Sequence, residues 1–84
     1  KMAKKIIIYS TPTCSHCIDA KNYLNDNKIN FEEIDVAKDP AKAEEMIKKT
    51  GQMGVPVIII GQGDEEKIII GFDQEEVGKE LGLK

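Results

Sequence analysis

Eighty-four residues can close one hydrophobic core but not two independent ones, so residues 1–84 read as a single domain. Fifteen acidic side chains against twelve lysines, with no arginine and aromatics at 5%, argue against nucleic-acid binding, which favours bidentate guanidinium contacts and stacking platforms. No apolar run approaches the roughly eighteen residues that a membrane-spanning helix needs.

Lys1 stands ahead of Met2, so Met2 reads as the natural start and Lys1 as a remnant. Lys4 and Lys5 precede only a short apolar run, which a strand explains better than a signal peptide; the cytoplasm is the default address. The stretch Lys5–Tyr9 is dominated by isoleucine, of which the chain has thirteen, grouped in runs. It predicts a central strand covered on both faces. Pro12 stops it.

The next residues, Thr11-Pro12-Thr13-Cys14-Ser15-His16-Cys17, hold both cysteines of the chain. If Cys14 opens a helix, Cys17 lies one turn later on the same face, and two sulfurs so placed can form a disulfide and reopen it. Cys14 then sits at the helix's positive end, where unpaired backbone N–H groups favour a negative charge and lower a thiol's pKa. Cys17, facing the core, suits the part of resolving thiol. A close cysteine pair in a chain with no export signal is more often catalytic or metal-binding than structural. The bland alternative is a buried, inert pair, which needs no placement at a helix start. Ser15 can offer a hydroxyl and an N–H to the thiolate and so alter the reduction potential. His16 reads as an exposed, variable position ahead of a positive neighbour to the thiolate or a metal ligand. A closed zinc site needs four ligands, and the chain offers two cysteines and one histidine.

From Ser15 to about Asn27 the apolar positions Cys17, Ala20 and Leu24 fall at helical spacing, and Asn27-Lys28 ends the helix. Ile29–Val36 mixes Phe31, Ile34 and Val36 with Glu32, Glu33 and Asp35, which predicts a less buried strand in a right-handed parallel unit. Asp39-Pro40 opens a second helix with Ala43, Met46 and Ile47 inward, and Gly51 supplies its left-handed stop. Val55–Ile60 and Lys67–Ile70 are apolar runs joined by Gly61-Gln62-Gly63-Asp64-Glu65-Glu66, a hairpin signature. Asp73 caps a last helix with Glu76 as capping-box partner and Val77 and Leu81 as anchors. The order is β-α-β-α-β-β-α, an α/β chain with mixed strand directions. Tyr9, Met46 and Met53 read as core or gap-filling residues, and Glu65-Glu66 and Glu75-Glu76 as solvated faces.

Three motifs in this order carry a resemblance over Lys4–Leu83: Cys14-Ser15-His16-Cys17 after the first strand, Gly54-Val55-Pro56 before the third, and Gly71-Phe72-Asp73 before the last helix. The chain resembles the glutaredoxin-like proteins of the thioredoxin superfamily. The resemblance implies a thioredoxin-like fold, a four-stranded mixed sheet flanked by helices, and a cis peptide bond at Pro56 beside the cysteines. It also implies that the Val55 backbone pairs with an extended substrate segment, as an added strand would. Gly54, Gly71, Phe72, Asp73 and Gln74 complete the substrate-binding positions that it suggests.

The departures from that family concern glutathione. Members that bind it usually have proline and an aromatic residue where this chain has Ser15 and His16. They often carry lysine at the position of Thr11, a basic residue at that of Met53, and a second glycine at that of Phe72. A phenylalanine there is similar instead to the glutaredoxin-like proteins reduced by thioredoxin reductase. Asp73, Gln74 and the helix N-terminus remain to receive part of glutathione.

The expected activity is thus a small monomeric dithiol oxidoreductase acting on protein disulfides or glutathione mixed disulfides, with Cys14 as nucleophile and Cys17 as resolving thiol. It needs no tightly bound cofactor. Its electron donor is glutathione, as a co-substrate, or thioredoxin reductase. The alternative from another class is an iron–sulfur or metal carrier using the same thiols, in the extreme a cluster bridged by two copies. A redox-silent binding module is the third and weakest option.

Overall fold

Alternation of side chains along the isoleucine-rich strands decides the architecture, because successive residues must find cover on opposite faces of one sheet. In the structure, a computed structural model describing residues 5–52, 54–61 and 66–82, the elements run β1 (Ile6–Ser10), α1 (Ser15–Asp26), β2 (Glu32–Asp35), α2 (Pro40–Thr50), β3 (Val57–Ile60), β4 (Lys67–Ile70) and α3 (Gln74–Leu81). The sheet order is β2-β1-β3-β4. β1 pairs with β2 in parallel, Ile8 opposite Glu33, while β1 with β3 and β3 with β4 are antiparallel. This is the β-α-β-α-β-β-α order with mixed strand directions that the sequence predicts, in the thioredoxin-like arrangement that the resemblance implies.

Both faces of the sheet are covered. Ile6, Ile8, Ile58, Ile60 and Ile69 pack against Ala20 and Leu24 of α1 and Val77 of α3. On the other face Tyr9, Val57 and Ile59 pack against Met46 of α2. Each fully buried isoleucine or leucine contributes about 2–3 kcal/mol of hydrophobic transfer free energy before the entropy of ordering is set against it. Tyr9 and Met46 are core residues, 2% and 1% exposed, as read from the sequence.

The helix ends follow local chemistry. Asp39 accepts the Lys42 N–H at 3.3 Å with Pro40 in the first turn, and Gly51 closes α2 at φ 76°. Asp73 accepts the Glu76 N–H at 3.2 Å. Only this half of the expected capping box forms, since the Glu76 carboxylate turns to Lys67, 3.7 Å away. At the end of α1 the Ile29 N–H reaches the Leu24 carbonyl and the Lys28 N–H reaches that of Asn25, a Schellman closure with Lys28 at φ 59°. A non-glycine residue there costs on the order of 1 kcal/mol, and the return of Ile29 to the core beside Leu24 offsets it.

Five strand boundaries differ from expectation, among them β1 beginning at Ile6 rather than Lys5 and β2 at Glu32 rather than Ile29. β1 includes Ser10, because its carbonyl accepts the Val36 N–H at 3.0 Å. β2 stops at Asp35, whose Oδ1 accepts the N–H groups of Ala37 and Lys38 and turns the chain. β3 begins at Val57, after Pro56, which has no N–H to give. Glu66 is also not simply solvated: it pairs with Lys49 at 3.0 Å across the second face. Met53, the hairpin residues 62–65 and Leu83 lie outside the described residues.

Candidate active site

Cys14 is the N-cap of α1, in extended backbone conformation, and its sulfur accepts the Cys17 N–H at 3.1 Å. A cap with a sulfur in place of the usual oxygen satisfies one of the helix's orphan donors and fixes Sγ against the positive end of the helix dipole. Cys14 is half-buried, whereas Cys17 is fully buried one turn into the helix. Both are free thiols. Burial, with a hydrogen bond to the Cys14 side chain second to it, pushes the Cys17 pKa up to about 11; the Thr11 backbone and the Lys21 charge pull the other way. The two thiols of one motif are thereby held in unlike environments, and the inert-pair alternative does not suit a sulfur stationed at a helix cap.

The other two motifs converge on the same end of the sheet. The Val55–Pro56 peptide is cis, as the resemblance implies. The Cys14 thiol points at the Val55 carbonyl, 3.8 Å away, and the Val55 N–H finds no acceptor among the described residues. Gly54 is exposed and held by Gln52, whose side-chain amide donates to the Gly54 carbonyl and accepts its N–H, both at 3.2 Å. The Gly71 N–H donates to the Pro56 carbonyl at 2.8 Å, with Gly71 at φ 84°, a left-handed conformation that favours glycine. Phe72 packs on Tyr23 of α1, ring centroids 5.8 Å apart. Asp73 serves as the α3 cap and Gln74 is exposed beside it. Asp19, Asn22, Tyr23 and Asp26 of α1, with Phe72 and Gln74, line an open groove of about 370 Å³.

Ser15 and His16 are both exposed in the first turn of α1. His16 does not join the cysteines in a ligand set: among the described residues no group of three or more His, Cys, Asp or Glu side chains is gathered where a metal ion could sit. Three site features are not legible in the sequence. Gln52 and Tyr23 support Gly54 and Phe72. The third is a chain of contacts in which the Ser10 hydroxyl and Lys21 both donate to Glu33 Oε2, at 2.9 and 2.7 Å. Lys21 and, to a lesser degree, Ser10 hold the Glu33 carboxyl below the usual range.

Residues 6–64 match the Glutaredoxin family. The chain belongs to the glutaredoxin family. It is 45% identical over 74 residues to an uncharacterized glutaredoxin-like 8.6 kDa protein in the rubredoxin operon of Clostridium pasteurianum, covering 88% of this chain and 93% of that one. The thioredoxin-like protein BC3987, solved as a point mutant, superimposes with a TM-score of 0.85 at 28% identity, over 95% of this chain and 97% of that one. The glutaredoxin-like NrdH-redoxin of Escherichia coli, solved for its thioredoxin-like activity profile, does so with a TM-score of 0.72 at 28% identity, over 89% and 92% of the two chains. As a glutaredoxin-family chain with a Cys-x-x-Cys pair, the protein is a thiol–disulfide oxidoreductase. No helix among the described residues is long and apolar enough to cross a membrane.

Proposed function

We propose that this chain reduces protein disulfides, with Cys14 as the nucleophile, Cys17 as the resolving thiol and the Val55–Pro56 backbone as the docking edge. The observation that carries the reading is the unlike setting of the two thiols: one at the accessible helix cap, its mate buried one turn behind. The Cys14 thiolate attacks one sulfur of the substrate disulfide, forming a mixed disulfide and releasing the other sulfur as a thiolate. Cys17 then attacks Cys14, the bond to the substrate breaks, and the substrate leaves reduced. The second step is intramolecular and fast for that reason. The open N–H of Val55 can pair with an extended substrate segment as an added strand. On this reading the protein works as a monomer in a reducing compartment such as the cytoplasm.

For the electron donor, we favour a thioredoxin reductase over glutathione. Glutathione carries two carboxylates, and the groove beside Phe72 presents Asp19 and Asp26 with no lysine. Thr11 stands where a family lysine would meet one of those carboxylates. The likeness to a neighbour with a thioredoxin-like activity profile supports the same preference. Ser15, His16, Gly54, Gly71, Asp73 and Gln74 are proposed as rim contacts to the partner polypeptide. The test is NADPH consumption by the oxidised protein, supplied either with glutathione and its reductase or with thioredoxin reductase. We expect thioredoxin reductase to support turnover and glutathione to give about a tenth of that rate or less. Equal or faster turnover with glutathione contradicts the choice of donor but leaves the Cys14–Cys17 chemistry standing.

A further inference from the structure

Ser10 is the buried polar residue of the described core, 1% exposed, and its hydroxyl donates to Glu33 Oε2 at 2.9 Å. Lys21 donates to the same oxygen at 2.7 Å. Three further ion pairs among the described residues, Lys42–Glu45, Lys49–Glu66 and Lys67–Glu76, have no such buried anchor. Glu33 satisfies the buried Ser10 hydroxyl, which would cost about 1–3 kcal/mol if left unpaired, whereas a surface pair such as Lys21–Glu33 contributes little to stability on its own. Its position is more informative. Lys21 is the one lysine of α1 and follows Cys17 by four residues, so it lies one turn along the same helix face. Glu33, in β2, holds the Lys21 ammonium in a partly exposed ion pair at 2.7 Å.

We propose that Lys21, paired with Glu33 and through it with Ser10, is a positioning residue for the resolving step: a positive charge one helix turn from Cys17 that favours its thiolate when that thiol must attack. The inference rests on the proposed roles of Cys14 and Cys17. In the step concerned, Cys17 gives its proton to water and its thiolate attacks Cys14 Sγ. The Cys14–Cys17 bond forms as the bond to the substrate sulfur breaks, and the electron pair leaves with that sulfur, which then takes up a proton. The substrate disulfide has gained two electrons and the cysteine pair has lost them. The groups acting on Cys17 come from several elements: Cys14 from the cap, the Thr11 backbone from the loop after β1, Lys21 from α1, and Glu33 of β2 behind Lys21. Burial and Cys14 oppose ionisation; the Thr11 backbone and, to a lesser degree, Lys21 act in its favour.

An aromatic disulfide whose thiolate product absorbs visible light separates the two steps, since the first equivalent released reports attack by Cys14 and the second attack by Cys17. For Lys21→Gln we expect the second phase to slow about three- to tenfold at pH 7 and its pH midpoint to rise by about half to one unit. The first phase should stay within about twofold of the parent, and Lys21→Arg, which keeps the charge and can still meet Glu33, should restore the second. An unshifted midpoint in Lys21→Gln, or a Lys21→Arg protein as slow as Lys21→Gln, overturns the inference. A parent protein that releases only one equivalent overturns the assignment of Cys17 itself, and this inference with it.

Discussion

Cys14→Ser is expected to lower the rate of disulfide reduction by on the order of a thousandfold or more, to the background level, while leaving the protein folded. A serine hydroxyl stays protonated near neutral pH and does not form the mixed disulfide on which the cycle turns. Serine is also among the best N-cap residues, so its oxygen can take over from Sγ in accepting the Cys17 N–H. The substitution thus removes the chemistry and keeps the cap, and a thermal melt close to that of the parent would show that the loss is not unfolding. A folded Cys14→Ser protein with substantial reductase activity would sink the assignment of the nucleophile.

The second large effect is selectivity between the two thiols. With a pKa of about 11, Cys17 is ionised in only about one molecule in ten thousand at pH 7, and its side chain is fully buried. Iodoacetamide at pH 7 should therefore add one carbamidomethyl group to the reduced native protein, on Cys14, at least about a hundredfold faster than the second. Under denaturing conditions both thiols should react at similar rates. The same shift has a consequence for stability, because the folded protein holds the Cys17 proton more tightly than the unfolded chain. That contribution is fully present below about pH 9 and is lost as the pH rises through about 11. The reduced protein should accordingly lose roughly 2–3 kcal/mol of unfolding free energy across that window, measured by urea titration at successive pH values, and Cys17→Ala should lose correspondingly less. Equal labelling of both cysteines in the native state at pH 7 would contradict the picture of a buried partner thiol.

Much of the fold is readable from the sequence because its signals are local. Asp39-Pro40 and Gly51 bracket α2, and Asp73 opens α3. Unbroken isoleucine runs give strands covered on both faces, and the Cys14–Cys17 spacing gives two sulfurs on one helix turn. What escapes depends on how strands and loops are brought together. The pairing of Lys21 with Glu33 follows from the parallel register that sets Ile8 opposite Glu33, and no local pattern encodes that register. The C-terminal stop of β2 comes from one side chain, Asp35, taking the backbone donors of Ala37 and Lys38. Lys28 at positive φ breaks the expectation of glycine or asparagine at such a stop, since tertiary packing of Ile29 outweighs a local preference. The cis peptide at Pro56 is implied by family likeness alone, as no spacing of residues announces it. The motif places Phe72 near the site, but only the structure shows it packed on Tyr23.

Mass analysis of Cys17→Ser after reaction with a disulfide-bonded protein substrate tests the division of labour between the two thiols most directly. The account predicts one stable covalent adduct per molecule, joined through Cys14 and released by dithiothreitol, whereas the parent protein under the same conditions ends as an internal Cys14–Cys17 disulfide with free, reduced substrate. Rapid release of reduced substrate from Cys17→Ser without added thiol, or an adduct on any atom other than Cys14 Sγ, would contradict it.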